Sequence, residues 1–399
     1  MPWKQTDTMT ERIKMITEHL SGNYTVSDLS RRHGVSRDKV YKWIGRYEQE
    51  GWGGLEDQSR APHRQARAIS PELEAKILEL KARWVNWGAP KLREKLRREL
   101  GAEKCPAEST VSAILKRHGL VRKPRARGRA VPGGAGPLAH CQGANGVWCA
   151  DFKGWWKTRD GQRCEPLTVS DAWSRYLLRC VVLEQGTSAQ WVKPHFELLF
   201  REYGLPEAMR TDNGAPFAST GLGGLSALSV WWVRLGLRLE RIEPGCPQQN
   251  GRHERLHLSL EQSQQREARA NLGKQQQALN GFSHEYNWER PHEALGQKTP
   301  AEFYVPSARC YEGRLPAPRE YPEEWPVRTV RPGGRMKWQG QEINVTRALK
   351  GERIGLEPKA DGVWAVWFEH LELGLLDERK GRIVRHKRLE QNTATEAGQ

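Results

Sequence analysis

The chain has 399 residues, and its 64 Lys and Arg against 48 Asp and Glu give a formal net charge of +16 and a pI near 9.6. This length is too great for one ordinary hydrophobic core, so several domains are expected. The positive charge predicts a polyanionic partner, most simply nucleic acid. The sequence shows neither an apolar run long enough to span a membrane nor a secretion signal, which predicts a cytoplasmic protein without a membrane partner.

The cysteines and tryptophans narrow the class of protein further. The seven cysteines are scattered and form no C-x-x-C pair, which argues against a disulfide framework and a thiolate zinc site. The 17 tryptophans are unusually many. Some must pack in cores, and exposed ones are suited to stack on bases.

The first segment, residues 1–58, has the pattern of a helix-turn-helix DNA-binding domain. Ile13, Ile16 and Leu20 repeat at helical spacing, and Gly34 occupies the predicted turn before a third helix. In such a motif the third helix lies in the major groove. Its predicted DNA-binding residues are Arg37, Lys39, Lys42 and Arg46. The alternative is a small helical bundle whose charges are only solvated.

A second helical domain is predicted over residues 68–123. The runs "SPELEAKILELKARW", "GAPKLREKLRREL" and "PAESTVSAILKRHGLV" each have helical periodicity. We interpret them as another helix-turn-helix, which would let the protein read an extended DNA site. A helical spacer is the alternative for this segment.

Residues 124–144 form a predicted linker that is first basic and then rich in Gly and Pro. Such a composition cannot build a packed core, and basic linkers also follow DNA phosphates. The basic residues that we assign to DNA binding, at the end of the second helical domain and in the linker, are Arg122, Lys123, Arg125, Arg127 and Arg129.

Strand patterns begin near residue 145 and define the third predicted domain, residues 145–306. Three short apolar or alternating runs come first, and helical and strand-like runs alternate after them. This order predicts an α/β domain with a mixed sheet that helices cover on its faces.

The last predicted domain, residues 327–388, is a small β-barrel. Short alternating strands are separated there by Gly-Gly, Gln-Gly, Asp-Gly and Lys-Gly turns. Its basic ends suggest a further nucleic-acid surface, with a role in solubility as the alternative.

Three acidic residues stand at distinctive places in the predicted α/β domain. Asp151 follows a strand, Asp212 ends another before Asn213-Gly214, and Glu254 lies in the first turns of a helix. Open α/β sheets commonly build their sites from such positions. Convergent carboxylates repel one another unless a cation compensates, and oxygen ligands select Mg²⁺ or Mn²⁺. We therefore predict that these three acids hold two metal ions for phosphoryl transfer.

Each acid also has a simpler explanation as a turn or helix-terminus residue. A fourth acid, Asp171, is expected to support the turn between two strands. Gly214 and Gly251 adjoin the predicted site and would leave room for a phosphate backbone.

Five motifs extend this interpretation. The stretches "WCADFKGWW", "LTVSDAWSRYLL", "FREYGLPEAMRTDNGAPFAS", "PGCPQQNGRHERLH" and "EYNWERPHEALGQKTPAEFY" resemble, in this order, the core motifs of bacterial insertion-sequence transposases of the retroviral-integrase-like superfamily, most closely insertion sequence family 481. The resemblance implies an RNase H-like catalytic core with an Asp-Asp-Glu triad. Asp151, Asp212 and Glu254 match that triad, and we assign Asn250, Arg252 and Arg255 beside Glu254 to DNA binding.

The resemblance implies a transposase that binds the terminal inverted repeats of its element, cleaves DNA and transfers the strand to target DNA. It also implies a nucleoid-associated bacterial protein that acts as a homo-oligomer, because two element ends must be processed together. A catalytically impaired copy or a DNA-binding regulator with the same fold is the alternative. A nuclease that cleaves but never joins is a third possibility.

Two features of the sequence depart from the family pattern. The interval between Asp212 and Glu254 is a few residues longer than usual, and the extra residues fall in "STGLGGLSALS", a Gly-rich segment expected to absorb them. Glu261 stands where relatives usually carry Lys or Arg. It lies seven residues after Glu254 and therefore shares its helix face. We expect Glu261→Lys to strengthen binding of the element's end DNA.

Overall fold

The structure, a computed structural model, describes residues 7–58, 69–121, 141–242, 251–264 and 268–384. The predicted basic residues 122–129, most of the predicted linker and Asn250 therefore lie outside the described residues. The chain divides into two compact units, Met1–Ser70 and Pro71–Gln399. In the described ranges, no helix has the length and apolar character needed to cross a membrane.

The described residues of the first unit form three helices, α1 (Thr8–Leu20), α2 (Val26–His33) and α3 (Arg37–Glu50), and a short 3-10 turn. Thr25 and Asp28 form a capping box at the start of α2, and Gly34 ends that helix with φ of 62°. The buried core comprises Met15, Ile16, Leu29, Val40, Ile44 and Leu55. This arrangement confirms the predicted helical domain. Ile13 and Leu20 are exposed, so Met15 takes their place in the α1 core stripe.

The second unit begins with another three-helix block, which we call the helical block. Its helices are α4 (Pro71–Arg83), α5 (Ala89–Leu100) and α6 (Glu108–Arg117). The buried apolar residues that join them include Ile77, Leu80, Leu92, Leu96, Val111, Ile114 and Leu115.

A mixed five-stranded sheet forms the centre of the second unit. Its strands are β1 (Val147–Phe152), β4 (Pro166–Asp171), β5 (Leu177–Val182), β6 (Ala208–Thr211) and β7 (Arg238–Arg241), in the order β5-β4-β1-β6-β7. Strand β4 is antiparallel to both β1 and β5, whereas β6 runs parallel to both β1 and β7. A small hairpin, β2 (Trp156–Lys157) and β3 (Arg163–Cys164), lies between β1 and β4 in sequence. This confirms the predicted mixed α/β core.

Four helices accompany this sheet, namely α7 (Ala189–Tyr203), α8 (Ala227–Arg234), α9 (Gly251–Gln264) and α10 (Leu272–His284). Two apolar clusters join helices and strands. One combines sheet residues such as Trp148 with Phe196 of α7 and Trp232 of α8. The other combines β5 with Leu256 of α9 and Leu279 of α10. Because successive residues of a strand point to opposite faces, both faces of the sheet are covered.

The helical block packs against this core through aromatic and charged residues. Trp84 and Trp87 stack with ring centroids 4.5 Å apart, and Trp87 Nε1 donates to Glu285 at 3.0 Å. Asn86 Nδ2 donates to the Gln262 carbonyl at 2.9 Å. Arg98 forms an ion pair with Glu302 at 2.9 Å. The helical block is thus fixed to the α/β core at several points.

The C-terminal domain is an antiparallel sheet rather than the predicted closed barrel. Its strands are β8 (Val327–Thr329), β9 (Arg335–Trp338), β10 (Gln341–Asn344), β11 (Arg353–Ala360), β12 (Val363–Phe368), β13 (Leu371–Asp377) and β14 (Arg382–Val384). Five strands pair in the order β14-β13-β12-β11-β8, and within residues 327–384 β9 and β10 pair only with each other. This hairpin contacts both edge strands, β8 and β14. In the described strands, side-chain packing therefore replaces the hydrogen bonds that would close a barrel.

The Gly-rich segment before α8 packs against the C-terminal domain. Leu222 and Leu225 belong to one apolar cluster with Trp338 and Leu373 of that domain. A Cβ at Gly221 would lie 2.9 Å from Thr346 Oγ1, so glycine permits this close approach. The extra residues between Asp212 and Glu254 are thus part of a domain contact, beyond the simple loop insertion that the sequence predicted.

Candidate active site

Asp151 and Asp212 come together because their strands are parallel neighbours. Ala150 of β1 is in register with Thr211 of β6, and each aspartate is the next residue along its strand direction. The carboxyl ends of parallel strands meet at one edge of a sheet. The sheet register therefore places both carboxylates at the same edge.

Glu254 is brought toward this edge by α9, which packs against β1. The buried side of α9 carries His253, Leu256 and Leu260. This spacing of three, four and seven residues is typical of one helix face, and Glu254 lies exposed beside it.

Two histidines hold α9 against the strands by polar contacts. Thr168 Oγ1 lies 2.8 Å from His253 Nε2 and 2.7 Å from His257 Nε2, and it donates to the Asp151 carbonyl at 3.0 Å. Ser170 Oγ lies 3.0 Å from His253 Nδ1. Desolvation lowers the pKa of His253 well below its usual value and that of His257 to about 4. Both rings are therefore neutral near pH 7 and act as hydrogen-bonding spacers.

The electrostatics of Asp151 show that the three acids influence one another. Burial, together with the negative charges of Asp212 and Glu254, raises the pKa of Asp151 to about 7. A hydrogen bond from the Phe152 N–H to Asp151 Oδ1, at 2.8 Å, opposes this shift. His257 Nδ1 is 4.0 Å from Asp151 Oδ2. Carboxylates from three distant segments thus form one electrostatic group.

The donor set of this group consists of carboxylate oxygens, which Mg²⁺ and Mn²⁺ prefer. A cation would offset both the burial and the repulsion that raise the pKa of Asp151. Among the residues that the structure describes, no three His, Cys, Asp or Glu side chains lie close enough together to constitute a metal cluster. The three acids are therefore neighbours that share a charge environment, without a closed ligand cage.

Asn213 and Gly214 determine the conformation of the loop after Asp212. Asn213 Nδ2 donates to the Ile242 carbonyl at 2.8 Å, which ties the loop to the end of β7. Asp212 Oδ1 accepts from the Gly214 N–H at 3.2 Å, and a Cβ at Gly214 would lie 2.9 Å from Asp212 Oδ2. A side chain at position 214 would therefore displace the Asp212 carboxylate. Around Gly251, by contrast, an added Cβ meets no described atom within 4 Å.

Asp171 has the structural role that the sequence predicted. Its side chain is fully buried and accepts hydrogen bonds from the Asn145 N–H at 2.8 Å and from the Ser174 N–H at 2.7 Å. These bonds hold the turn between β4 and β5.

Sequence reasoning missed one charged neighbour of the site. Lys153 Nζ lies 3.5 Å from Glu261 Oε2, so the unusual glutamate on α9 faces a cation on the segment after β1. The motif "DFKGWW" contained this lysine, but only the packing of α9 on β1 shows its partner.

The predicted DNA-binding residues of α3 differ in their surroundings. Arg37, Lys39 and Lys42 are exposed. Arg46 is half-buried, lies 4.9 Å from the Trp43 ring and donates to the Glu56 carbonyl at 3.1 Å. Tyr41 lies one helical turn after Arg37, and its side chain is 62% exposed.

The two predicted DNA-binding arginines of α9 also differ from each other. Arg252 Nη1 donates to the Ala172 carbonyl at 3.0 Å and so contributes to the packing of α9 on the sheet. Arg255 is exposed.

Family models match four parts of the chain. A helix-turn-helix domain model matches residues 11–63, and a homeodomain-like domain model matches residues 39–115. An integrase core domain model matches residues 235–300, a range that contains Glu254 but neither aspartate. The model of the IS481 family transposase C-terminal domain matches residues 326–384. The resemblance to family 481 transposases is confirmed.

Two curated relatives come from insertion elements. An uncharacterized 31.7 kDa protein of insertion element IS407 from Burkholderia multivorans is 30% identical over 160 residues, which cover 40% of this chain and 55% of the relative. An uncharacterized 39.2 kDa protein of insertion element IS476 from Xanthomonas euvesicatoria is 28% identical over 160 residues, which cover 40% of this chain and 44% of the relative. The chain spans about half the length of these curated relatives.

Solved integrase structures are similar to parts of the chain. The HTLV-2 integrase catalytic core domain in complex with magnesium is 15% identical, with a TM-score of 0.31 and coverage of 41% of this chain and 98% of that one. The simian T-cell lymphotropic virus intasome in complex with a PP2A regulatory subunit is 16% identical, with a TM-score of 0.34 and coverage of 74% and 97%. The catalytic core domain of BIV integrase is 20% identical, with a TM-score of 0.29 and coverage of 40% and 92%.

Proposed function

We propose that the protein is a DNA transposase with an RNase H-like core. It binds the terminal inverted repeats of its element, cleaves a DNA strand and transfers the freed end to target DNA. The observation that supports this most directly is that Asp151 and Asp212 follow neighbouring parallel strands and that the charges of Asp212 and Glu254 both raise the pKa of Asp151. The helix-turn-helix and integrase core matches support DNA as the substrate.

The carboxylates Asp151, Asp212 and Glu254 would hold two Mg²⁺ or Mn²⁺ ions. Bound there, the metal pair supplies activation of the attacking oxygen and stabilisation of the leaving oxygen in an in-line displacement. Asp151 would be one of these ligands, and the charges of both other acids already act on it. The neutral His253 and His257 keep α9, and with it Glu254, in register with β1.

The remaining regions serve DNA binding and assembly in this proposal. The exposed basic residues Arg37, Lys39 and Lys42 of α3 contact the element end. Double-stranded DNA occurs both as element end and as target. Two ends must be processed together, so a homo-oligomer forms on DNA.

A strand-transfer assay tests this proposal. Labelled duplexes that carry the inverted repeats flanking the gene are incubated with the protein and Mg²⁺ or Mn²⁺. Wild-type protein gives joined products, and chelation of the metal stops them. Asp151→Asn lowers joining by roughly a thousandfold or more, as expected for a group that acts in the transition state, and retains DNA binding. Asp361→Asn, an exposed aspartate in the C-terminal domain, is the matched control and joins normally.

Each other result points to a different conclusion. Joining by Asp151→Asn would show that the site is assigned wrongly. Cleavage without joining by the wild type would indicate a nuclease. Binding without either reaction would indicate a DNA-binding regulator or an impaired copy, the alternative to which the departure at Glu261 gives weight.

A further inference from the structure

The ion pair between Lys153 and Glu261 lies beside the three carboxylates. Its two charged atoms are 3.5 Å apart, and the Lys153 side chain is 13% exposed whereas that of Glu261 is 49% exposed. Lys153 comes two residues after Asp151, and its backbone N–H donates to the Pro166 carbonyl at 3.1 Å, which anchors it to β4. Glu261 lies about two helical turns after Glu254 on α9. One partner is thus fixed to the sheet and the other to the helix.

The ammonium of Lys153 belongs electrostatically to the site. Its charge lowers the pKa values of Asp151 and His257, opposing the burial that shifts Asp151 and reinforcing the burial that shifts His257. A lysine ammonium has three N–H donors and no acceptor. Its ion pair with Glu261 leaves donors for further oxygen atoms. A phosphate beside the carboxylates would be repelled by them and attracted by this cation.

Glu261 offsets the unfavourable desolvation of the mostly buried ammonium. It also restricts where the long lysine side chain extends, because a flexible four-carbon stem has many conformations. A glutamate at this position therefore has a use, although it cannot itself bind phosphate. The family pattern predicts a cation at position 261. In this chain Lys153, the partner of Glu261 in the ion pair, supplies that cation.

We propose that Lys153 binds a phosphate of the DNA strand at the carboxylates and that Glu261 is its positioning residue. This inference rests on the proposed function, because it assumes that DNA occupies this edge of the sheet. It predicts that DNA affinity depends on a cation at this contact. Whether the cation comes from the segment after β1 or from α9 should affect the affinity less.

A charge-swap cycle tests the proposal by gel-shift titration of a labelled end duplex before Mg²⁺ is added. Lys153→Glu lowers affinity at least about tenfold, and Lys153→Gln reduces the salt slope of binding by about 1, as expected for one lost phosphate contact. The double variant Lys153→Glu/Glu261→Lys regains affinity to within about threefold of wild type, because α9 then supplies the cation. Thermal unfolding confirms that each variant is folded.

The pair Lys193 and Glu197 on α7 is the matched control. Its charged atoms are also 3.5 Å apart, and the lysine is 45% exposed. Swapping these two charges leaves the affinity unchanged. If net charge alone determined the DNA affinity, reversing the lysine of either pair would lower the affinity by a similar amount.

The outcomes separate this inference from the proposed function. Unchanged affinity in folded Lys153→Glu, or no recovery in the folded double variant, overturns the role of Lys153. If the wild type binds the duplex but joins no ends, the transposase proposal fails while the binding cycle still decides the role of Lys153. If the wild type binds no duplex, both are overturned.

Discussion

The first helical domain and the helical block have the same three-helix pattern but expose different chemistry. In the first domain, Arg37, Lys39 and Lys42 of α3 are exposed. In the helical block, several cations are engaged in ion pairs. Arg97 pairs with Glu94, Arg98 with both Glu94 and Glu302, and Arg117 with Glu74.

This difference shows that helix periodicity does not determine how a three-helix unit is used. The helical block directs Trp87 and Asn86 toward the α/β core, where both find hydrogen-bond partners. Such contacts are what the helical-spacer interpretation of residues 68–123 predicts, whereas the homeodomain-like match over residues 39–115 supports a second helix-turn-helix. The first domain keeps the basic exposed face that DNA binding requires.

The largest expected effect concerns the attachment of the helical block. Trp87 is 1% exposed, stacks on Trp84 and donates to Glu285. Trp87→Ala leaves a cavity and removes a hydrogen bond to the partly buried Glu285 carboxyl, so we expect the free energy of unfolding of the second unit to fall by about 3–5 kcal/mol. Denaturant titration followed by circular dichroism measures it.

Trp52→Ala in the first unit is the control for this variant. Trp52 is 47% exposed, and its removal should lower stability by less than about 1 kcal/mol. A loss for Trp87→Ala as small as that of the control would mean that the helical block is attached loosely, and the contrast between the two regions would disappear.

The free energy of unfolding of the second unit should also depend on pH, through a lysine of the helical block. The Lys91 ammonium donates to the Pro291 carbonyl, and burial together with the charges of Arg290 and Arg255 lowers its pKa from 10.5 to about 8. The folded state therefore releases a proton that the unfolded state keeps between these two pH values. Stability should rise with pH across this window, by at most about 3 kcal/mol and less with solvent screening.

Lys91→Met removes this dependence while it keeps most of the side-chain volume. We expect the stability of the variant relative to wild type to be highest below pH 8 and to decline as pH approaches 10.5. Chemical denaturation at several pH values measures the difference. A constant difference across the window would show that Lys91 is not titrating in the folded protein.

Local signals made much of the fold and part of the site predictable. The capping residues Thr25 and Asp28 and the turn at Gly34 are short-range features that sequence displays directly. The meeting of Asp151 and Asp212 follows from strand ends in a mixed sheet, a rule that needs no exact register.

Features that depend on long-range packing could not be predicted in this way. The ion pair of Lys153 with Glu261 depends on how α9 is rotated about its axis where it packs on β1. Helical periodicity predicts that rotation only to within one or two residues. Closure of the C-terminal sheet depends on whether β9 and β10 hydrogen-bond to the edge strands, and alternating strands look the same in either case. Arg46 was assigned to DNA by its place on a basic helix, but the aromatic ring of Trp43 and the Glu56 carbonyl lie within its reach.

The smallest expected effect is the loss of DNA affinity on removal of one basic side chain, and it should differ between the first domain and the helical block. Arg37→Ala and Lys42→Ala in α3 should each weaken binding of the end duplex by roughly 1 kcal/mol and each reduce the salt slope by about 1, because each removes a phosphate or base contact. Lys116→Ala and Arg117→Ala in α6 should leave both quantities unchanged, since Arg117 is already paired with Glu74 and the helical block is docked on the core.

Gel-shift titration at several salt concentrations measures all four variants under one set of conditions. Arg46→Ala sharpens the test, because its guanidinium is engaged with Glu56 and Trp43. It should lower the thermal stability of the first domain more than it changes the salt slope. Equal losses of DNA affinity in α3 and α6 variants would mean that both regions read DNA, and the tandem interpretation of the two helical segments would then be correct.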